Sequence, residues 1–563
     1  MEGIPVHSSF STHEITNQSP SFCDINLFLS DAALQSAIAA EGAAHEAEEL
    51  ARFGQKAGSA QAFEAGRLAN ENPPKLRRFD EKGFPLDTVE FHPAYHGCMA
   101  MSFAAGLHCS PWDYLGAAES GPRPRPGAHV VRAATLYMMT QVEPGHVCPV
   151  TMTNAAVPTL LLQPDLATSL LPKILSRTYD KAFRPWPQKE SVSIGMGLTE
   201  KQGGTDVRAN ASTAIAAVNA GAGQEYILTG HKWFMSAPMS DAFLMLAQAP
   251  GGLSCFLVPR FLPDGSINAL RLQRLKNKLG NHSNASSEVE LQGASGWLIG
   301  EEGRGIANII EMVTMTRLDC AVASAGQMRL ALAVALHHCH YRYVFQKRLV
   351  DQPMMAAVLA DMAIDVEAAT VLAVRLAGAF ERAWMDPHEA AWRRVMTPVT
   401  KYWVCKMAPA LGFEAMECLG GNGYVEDGLA ARLYRELPLN AIWEGSGNVM
   451  CLDLLRVLQR TPEAVWTVMA VLKESSAGDA VLSASVARLE TLMRGSAQEG
   501  DARTLVETLA RTAAGCLLRQ SSPDFMADAF IASRLGGEFR HTYGTGVGKA
   551  GHREILERAR PLQ

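Results

Sequence analysis

Hydrophobic and polar positions follow helical spacing over the first third of this chain. Residues 31 to 70 are rich in Ala, Leu and Glu, and Asp31 stands where a helix N-cap is expected. Helical patterns continue to about residue 190, interrupted by a loop rich in proline and glycine at 119 to 130. The pattern predicts a mostly helical domain over residues 1 to 190.

From about residue 191 the apolar runs become short and turn residues separate them. The runs EYILTG, AFLMLAQ, LSCFLVPR, LRLQRL and SSEVEL are divided by APGG, PDG and GNHSN, which is typical of strands joined by tight turns. We therefore expect a β-domain over residues 191 to 300.

Long helical patterns return after GEEGRG at 300 to 305 and predict a helical bundle over residues 301 to 460. A further helical segment begins at Thr461 and Pro462, with Thr as the expected N-cap and Pro at the first helical position, and occupies residues 461 to 563. A chain of 563 residues exceeds what one hydrophobic core usually supports. The predicted fold class is α+β, in the order helical, β, helical and helical appendix.

Composition narrows the possible functions. The net charge of −6 provides no global basic field, so any contact with nucleic acid needs a local patch. The 11 cysteines include no C-x-x-C pair, which favours reduced thiols over disulfides or a zinc site, and no metal is expected. The N-terminus has no signal-peptide pattern, and no run of about 18 apolar residues is present. We expect a cytoplasmic protein that does not enter a membrane.

Two stretches near the start of the β-domain are candidates for ligand contact. GMGLTEKQGGTDVRA, residues 195 to 209, offers Thr199, Thr205 and Gly204, around which backbone amides could approach a phosphate or a polar ring edge. Taken alone, this run is more typical of a glycine-rich turn. LTGHKWFMSAP follows with Phe234 and Ser236, and its aromatic residues, taken alone, are more typical of a core.

Two further stretches lie in the second helical region. ECLGGNGYVEDGLAARLYRE, residues 417 to 436, contains a glycine turn that could pack against a ligand, but helical patterning precedes it, unlike a Rossmann fingerprint. AIWEGSGNVM, residues 441 to 450, holds Glu444 between an apolar run and a glycine-rich turn. One explanation is a carboxylate stabilised by the positive end of the helix that starts near Ser446.

Together these runs resemble the two signature patterns and the catalytic segment of the acyl-CoA dehydrogenase family, in family order. The resemblance covers residues 190 to 460, and domain order extends it over the first 190. Within the family the chain is similar to the AidB-like branch, flavoproteins of the bacterial response to DNA alkylation. The runs that carry this likeness include NLFLSDAAL, GRLANENPPKLRRFD, KNKLGNHSNASSEVE and IWEGSGNVMCLDLLRVL, and the chain shares a C-terminal extension of about 100 residues.

The resemblance implies a helical domain, a middle β-barrel-like domain, a four-helix bundle and an extra helical domain, with FAD between the β-domain and the bundle. It implies that Thr199 contacts the flavin pyrimidine edge, Thr205 the pyrophosphate, Phe234 the ring face and Ser236 the N5 region. The implied cofactor residues of this part are Met196, Leu198, Thr199, Gly204, Thr205, Phe234, Ser236, Trp443, Ser446 and Asn448.

The resemblance also implies a homotetramer, in which a neighbouring subunit supplies Arg342 and Phe345 to the ADP half of FAD. Glu417, Gly420 and Gly421 are expected to contact the same half. The sequence departs from the family here, since Glu417 stands where most relatives have Gln, and Gln346 where they usually have Gly.

By the same resemblance, Glu444 is the catalytic base that removes the α-proton of an acyl-CoA thioester while hydride leaves the β-carbon for flavin. Ile442, Trp443 and the flavin would desolvate its carboxylate and raise its pKa. Some relatives place the base on an earlier helix, at the position of Thr316, which cannot act as one, and Asp319 falls on a different helical face. Nitroalkane oxidases carry Asp at the Glu444 position, so Glu favours thioester chemistry.

The branch is described as binding duplex DNA through its C-terminal part. Residues 456 to 563 contain 14 Lys plus Arg against 12 Asp plus Glu, a balance that a solvated helix face explains equally well. DNA binding therefore rests on the resemblance. The candidate DNA contacts are Arg534, Arg540, Lys549, Arg553 and Arg560, to which Arg519 could add after folding.

Three functions remain open at this point. The leading one is an FAD-containing alkylation-response protein that binds double-stranded DNA and keeps weak, isovaleryl-CoA-like dehydrogenase activity. The second is a metabolic acyl-CoA dehydrogenase or oxidase whose appendix serves assembly. The third is a DNA-binding scaffold in which FAD is structural and Glu444 is vestigial.

Overall fold

The computed structural model describes residues 12–116, 124–494, 498–537, 542–545 and 551–561. Helices dominate its first part. They are α1 (Ala32–Ala40), α2 (Ala47–Ala57), α3 (Ala60–Glu71), α4 (Pro93–Ala104), α5 (Ala128–Val142), α6 (Val147–Leu160) and α7 (Pro164–Ile174). The predicted N-cap of α1 is confirmed, because the Asp31 carboxylate accepts a 3.0 Å hydrogen bond from the Leu34 amide.

A β-hairpin interrupts these helices and was not predicted. Its strands are β1 (Lys75–Phe79) and β2 (Pro85–Glu90), which pair antiparallel. Charged residues occupy most of β1, so the alternation that marks a strand is weak. Leu76 and Val89 pack against the core of the β-domain, and the hairpin therefore belongs to that core although it lies in the helical part of the sequence.

All five predicted strand runs of the middle region are strands. The region contains β3 (Ile194–Gly197), β4 (Thr213–Ala216), β5 (Glu225–Ser236), β6 (Ala242–Ala249), β7 (Gly252–Pro259), β8 (Leu270–Leu275) and β9 (Ser286–Ile299). The strand order is β3-β6-β4-β5-β9-β7, with β8 paired to β9. Because β6 also pairs with β7, the sheet closes on itself, as the barrel-like prediction requires.

Long helices follow the β-domain. The elements are α8 (Gly305–Tyr341), the hairpin β10 (Tyr343–Val344) and β11 (Lys347–Arg348), α9 (Pro353–Arg382), α10 (Pro387–Cys418), α11 (Gly421–Tyr424), α12 (Leu429–Glu436) and α13 (Gly447–Arg460). Helix α8 has the length and apolar composition of a membrane-spanning helix, but 94% of its most apolar window is buried inside the protein. That burial is what a core helix of a globular fold shows.

The C-terminal segment is helical as predicted. It contains α14 (Pro462–Ser475), α15 (Ala480–Arg494), α16 (Ala502–Ser521), α17 (Asp524–Phe530), which continues as a π-helical turn over Ile531–Leu535, and α18 (His552–Ala559). Pro462 is the first residue of α14, as expected. The Thr461 hydroxyl donates to the Val457 carbonyl at 3.3 Å and does not cap the helix.

The helical segments share one hydrophobic core, which includes residues of the N-terminal helices, of α8 to α13 and of the C-terminal segment. A second core lies inside the β-domain. The C-terminal segment is thus packed into the main helical body.

Buried ion pairs join the C-terminal segment to three acids of α9, namely Asp361, Asp365 and Glu367. The Arg534 guanidinium lies 2.7 Å from the carboxylate of Asp361 and 2.9 Å from that of Asp365. Arg558 pairs with Glu367 at 2.9 Å. These arginines point into the protein, where they neutralise carboxylates that would otherwise be buried without a counterion.

Candidate active site

Glu444 lies in a tight turn between α12 and α13. Its φ of +58° is in the left-handed region, which is uncommon for a residue other than glycine, and Gly445 follows at +106°. Lys401 of α10 donates hydrogen bonds to the carbonyl of Trp443 at 2.9 Å and to that of Gly445. Arg317 of α8 donates to the Glu444 carbonyl at 3.0 Å. Two cations from neighbouring helices therefore hold three consecutive carbonyls and stabilise the turn.

The Glu444 side chain is directed at α8. Its Oε2 accepts a 2.8 Å hydrogen bond from the Thr316 hydroxyl, which leaves Oε1 for another partner. Burial raises the pKa of the Glu444 carboxyl above its ordinary value, while the Thr316 hydrogen bond and the charges of Arg317 and Lys401 oppose that rise. The carboxylate bonds to α8, which argues against the alternative that it stabilises the start of α13.

The walls of this carboxylate differ in part from the prediction. Trp443 is half-buried, and its indole N–H donates to the Asn440 side chain at 2.8 Å. Asn440 in turn donates to Ser324 of α8 at 3.1 Å, so the indole is fixed against that helix. Ile442 is exposed and does not enclose Glu444 within this chain, because its side chain faces outward in the turn.

On the β-domain, the two candidate stretches lie side by side. The Trp233 amide donates to the Thr199 carbonyl at 2.8 Å. A register shift in β5 between Lys232 and Met235 marks a bulge, which re-aims the side chains between them. Phe234, inside this bulge, is 49% exposed, as an aromatic ring available to a planar ligand must be.

The loop of residues 201 to 210 is held by a buried ion pair. Lys232 donates to the Glu200 carboxylate at 2.7 Å, and both side chains are fully buried. The same carboxylate accepts from the Ala211 amide at 2.7 Å and from the Ser212 amide at 3.2 Å. A Cβ at Gly204 would overlap the Thr199 side chain, so only glycine lets the loop approach Thr199 this closely.

The remaining predicted flavin residues of this part have mixed surroundings. Met196, Leu198 and Thr199 are half-buried, Thr205 is exposed in the loop, and Ser236 is half-buried at the end of β5. The exposed Phe234, the glycine-lined loop and the half-buried hydroxyl of Ser236 form the kind of cradle that a flavin needs. FAD fits these residues.

Ser446 and Asn448 lie at the start of α13. Ser446 occupies the N-cap position and is exposed. The Asn448 side-chain oxygen accepts two hydrogen bonds from Arg503 of α16, at 2.9 and 2.7 Å. Arg503 is a site residue that sequence reasoning missed, and it links the C-terminal segment to the segment that carries Glu444.

Arg342 and Phe345 lie far from Glu444 within one chain. Thr316 and Arg342 are 26 positions apart on α8 and at its end, which is about 39 Å at the helical rise. Phe345 is 91% exposed at the tip of the β10–β11 hairpin, and it and Gln346 have φ of +50° and +65°. That turn normally requires glycine or asparagine at such positions, so Phe345 is presented to the outside at a conformational cost.

The Glu417, Gly420 and Gly421 turn lies at the same end of the bundle as Arg342. The Arg342 guanidinium donates to the Asn17 carbonyl at 2.6 Å, and the adjacent Gln18 side chain accepts from Asn422 at 3.4 Å. Apart from the chain neighbours of each glycine and the backbone of its own helix, no atom of the described residues lies within 4 Å of the Cβ position of Gly420 or Gly421. One chain thus carries two groups of candidate FAD residues, well separated along α8.

One of the predicted DNA contacts is wrong. Arg534 is buried in the ion pairs with α9 described above, so its charge is not available to a phosphate. Arg519 is largely neutralised by Asp479 and Asp528, at 2.9 and 2.8 Å.

The other candidate DNA contacts stay predictions. Arg553 is exposed and pairs with Glu557, and Arg560 is exposed beside His340. Arg540 and Lys549 lie outside the described residues.

Asp319, weighed as an alternative base, has a structural role. Both of its carboxylate oxygens accept hydrogen bonds from the Arg132 guanidinium, at 2.7 and 2.8 Å, in a buried pair. The side chain is therefore engaged away from the Glu444 turn.

Fold and site together define a flavoenzyme of the acyl-CoA dehydrogenase type. The family description "Adaptive response protein AidB N-terminal domain" matches residues 17–181, "Acyl-CoA dehydrogenase, middle domain" residues 195–294 and "Acyl-CoA dehydrogenase, C-terminal domain" residues 303–459. The chain belongs to the acyl-CoA dehydrogenase family and its AidB-like branch, whose members are FAD-dependent oxidoreductases that act on CH–CH bonds.

Individual relatives agree with this assignment. The chain is 47% identical to AidB of Escherichia coli (strain K12) over 491 residues, covering 87% of this chain and 88% of that protein. It is 30% identical to acyl-CoA dehydrogenase family member 11 of Caenorhabditis elegans, covering 88% and 83%. The crystal structure of the Caenorhabditis elegans protein ACDH-11 in complex with C11-CoA superposes with a TM-score of 0.83 at 26% identity, covering 93% of each chain.

Proposed function

We propose that this chain is an FAD-dependent protein of the DNA alkylation response that keeps weak, isovaleryl-CoA-like dehydrogenase activity and binds double-stranded DNA. It works in the cytoplasm as a homotetramer. The desolvated carboxylate of Glu444, held by Thr316 in a turn fixed by two cations, is the observation that carries the enzymatic part. The 47% identity to AidB supports the alkylation-response part.

The chemistry follows from the positions of the protein's own groups. Oε2 of Glu444 is occupied by Thr316, so Oε1 receives the α-proton of the thioester. Desolvation makes the carboxylate a stronger base than it is in water. Bound FAD supplies the acceptor for the hydride of the β-carbon. Lys401 and Arg317 keep the base in place, because any rotation of the turn would leave their buried hydrogen bonds unmade.

Anaerobic titration of the FAD-loaded protein with isovaleryl-CoA tests this reaction. Bleaching of the oxidised flavin band is expected, with formation of the α,β-unsaturated thioester. The C11-CoA bound by the Caenorhabditis elegans relative supports thioester chemistry, and a straight-chain thioester of that length is the second probe. If neither thioester bleaches the flavin, the enzymatic part of the proposal fails.

The tetramer explains why one chain carries two distant groups of FAD residues. A neighbouring subunit would bring Phe345, which its own chain leaves 91% exposed, and Arg342 to the cofactor. The open space around Gly421 is suited to close approach of a ligand or a second chain. Sedimentation of the holoprotein should give a tetramer, and Arg342→Ala should lose tetramer and FAD together.

A basic surface around α13 supports DNA binding. Three arginines, Arg317, Arg394 and Arg456, share the single carboxylate of Asp453, at 2.9, 2.9 and 3.7 Å. That group has an excess of positive charge. We call Lys406, Arg394, Arg456 and Arg503 the α13 basic surface; all four are exposed on α10, α13 and α16.

Salt-dependent binding to duplex DNA tests this surface. The logarithm of affinity should fall with the logarithm of salt concentration by about 0.9 per phosphate contacted. Changing Lys406, Arg456 and Arg503 to Gln should flatten that slope more than changing Arg553 and Arg560 to Gln. Equal slopes for both variants and the parent would remove the α13 basic surface from the proposal. Absence of binding by the parent at low salt would favour the metabolic alternative.

A further inference from the structure

The N-terminal segment of residues 12–22 lies across the C-terminal end of α8. Phe22 anchors it, because its ring packs edge-on against Phe63 and against His337 of α8, with 6.0 and 5.4 Å between ring centroids. The His337 ring also donates from Nε2 to the Pro20 carbonyl at 2.9 Å. The segment therefore follows a fixed path toward the β10–β11 hairpin.

Asn17 binds this hairpin with both ends of its side-chain amide. Its Nδ2 donates to the Tyr343 carbonyl at 2.8 Å, and its Oδ1 accepts from the Tyr343 amide at 2.7 Å. Its φ of +58° lies in the left-handed region, which asparagine adopts more readily than most residues. The side chain of Asn17 thus pairs with β10 as a residue of a neighbouring antiparallel strand would.

Asn17 also orients Arg342. Its carbonyl accepts a 2.6 Å hydrogen bond from the Arg342 guanidinium. A guanidinium has five N–H donors, so this contact orients the group and uses one of them. The adjacent Gln18 accepts from Asn422 at 3.4 Å, which ties the segment to the glycine turn at Gly420 as well.

The hairpin depends on contacts of this kind. Its strands are two residues each, and an isolated two-stranded hairpin is marginally stable in water. Gln352, which precedes α9, donates to the Val344 carbonyl at 2.9 Å and gives further support. Since Asn17 binds the chain between Arg342 and Phe345, it sets the positions of both.

We infer that Asn17 is a positioning residue for FAD, which holds Arg342 and the β10–β11 hairpin in the geometry that receives the ADP half of a neighbouring subunit's cofactor. The inference rests on the proposed cross-subunit role of Arg342 and extends that site to the N-terminal segment. An arginine that is already oriented loses less side-chain freedom when a phosphate binds, so affinity for the ADP half rises.

A comparison of FAD with FMN tests this role, because FMN carries the same ring system without the adenosine monophosphate portion. Dissociation constants of both flavins are measured on apoprotein of the full chain by fluorescence quenching. Asn17→Gly should weaken FAD binding by about 10-fold, the effect of ordering one long side chain, and leave FMN affinity unchanged. Glycine adopts the left-handed backbone without strain, so the variant removes only the side-chain contacts.

Asp24→Gly is the matched control. Asp24 follows the same segment, has a left-handed φ of +56° and accepts a 2.8 Å hydrogen bond from the Ala60 amide at the start of α3. Its loss should lower the thermal stability of the apoprotein about as much as Asn17→Gly does, but should leave FAD affinity near that of the parent. The FAD affinities of the two variants decide even where FMN binds too weakly to measure.

The possible failures are distinguishable. If Asn17→Gly binds FAD as tightly as the parent and Arg342→Ala does not, the inference is wrong but the cross-subunit role of Arg342 stands. If Arg342→Ala also keeps the parent's affinity, the proposed role of Arg342 falls and the inference with it. If Asn17→Gly weakens FAD and FMN equally, or Asp24→Gly weakens FAD as much, the role of Asn17 is structural only and the inference is overturned.

Discussion

The hydroxyl of Thr316 donates a 2.8 Å hydrogen bond to the carboxylate of Glu444, which lies 128 positions later in the sequence. The resemblance to the family implies that some relatives carry their base at the position of Thr316. In this chain Thr316 is the hydrogen-bond partner of the proposed base, Glu444, which lies on another segment. The relationship joins α8 to the turn before α13 and fixes one of the two carboxylate oxygens.

Glu444→Gln should retain FAD and fold but lose flavin reduction by any thioester that reduces the parent. The amide is nearly isosteric with the carboxylate, yet it cannot accept the α-proton. Positioned acid–base groups contribute about 10²- to 10⁴-fold to rate, and stopped-flow reduction should show a loss of that size. Unchanged single-turnover reduction would mean that another group is the base.

Thr316→Val should move the pH dependence of flavin reduction to higher pH. The Thr316 hydrogen bond stabilises the charged form of Glu444, so its loss raises the pKa of the carboxyl further. Reduction requires the carboxylate and would begin at a higher pH than in the parent. Thr316→Ser, which keeps the hydroxyl, should restore the parent profile. A shift shared by both variants would point to packing instead of the hydrogen bond.

Lys401→Met should destabilise the protein and slow flavin reduction together. The substitution leaves the carbonyls of Trp443 and Gly445 without their buried donor, at a cost of about 1 to 3 kcal/mol each. Thermal unfolding and stopped-flow reduction measure the two effects. Lys473→Met is the control, since that lysine is exposed on α14 and its loss should leave both near the parent.

Glu436→Gln should gain stability relative to the parent as pH rises from about 5 to 8. Burial, with repulsion from Glu143, raises the pKa of Glu436 to about 7. In this range the folded state holds a proton on Glu436 that the unfolded state has released, so this carboxyl lowers the stability of the parent relative to Glu436→Gln as pH rises, by up to about 3 kcal/mol. Urea unfolding at about pH 5 and pH 8 tests the sign of this change. Glu301→Gln, at an exposed position, is the control. A parent that gains stability toward pH 8 relative to Glu436→Gln would contradict it.

The pKa of the neighbouring acid Glu143 is shifted in the opposite direction. Although burial favours its neutral form, hydrogen bonds from His146 and Ser283 lower the pKa of Glu143 to about 2. Its contribution to stability is present above the ordinary pKa and is lost as pH falls toward 2. Above pH 5 Glu143 therefore contributes equally to the parent and to Glu436→Gln, and the difference between their two pH profiles isolates the effect of Glu436.

Arg534→Met should destabilise the protein strongly and leave DNA affinity per folded molecule unchanged. It removes the counterion of Asp361 and Asp365, and breaking a buried pair typically costs about 3 to 5 kcal/mol. Arg553→Gln removes an exposed pair with Glu557 and should leave stability close to that of the parent. Chemical denaturation of both variants gives the comparison. If Arg534→Met is only slightly destabilised but binds DNA more weakly, Arg534 would again be a candidate DNA contact.

Local patterns predicted the strands of the β-domain, the cap at Asp31 and the segment that carries Glu444, because each depends on residues close together in sequence. The hydrogen bonds that hold the Glu444 turn could not be predicted in this way. Lys401 precedes the carbonyl of Trp443 by 42 positions, and Arg317 precedes Glu444 by 127. Periodicity gives no information about pairs this distant.

The sequence likewise could not predict the direction in which a charged side chain points. Arg534 and Arg553 contribute identically to a charge count, yet one is buried against α9 and the other is exposed. Only the acids at Asp361 and Asp365, about 170 positions earlier, decide which way Arg534 points. The β1–β2 hairpin was not predicted for a related reason. The β-domain surface that covers Leu76 and Val89 is remote from them in sequence.

The pairing of Arg534 and Arg558 with the three acids of α9 also limits which truncated forms of this protein can fold. A chain shortened before Arg534 would keep Asp361, Asp365 and Glu367 but lose the cations that neutralise them. A dehydrogenase body without this appendix would need other residues at these three positions, or other cations beside them. The appendix and the acids of α9 are therefore coupled in energy, so that removing one requires a compensating change in the other.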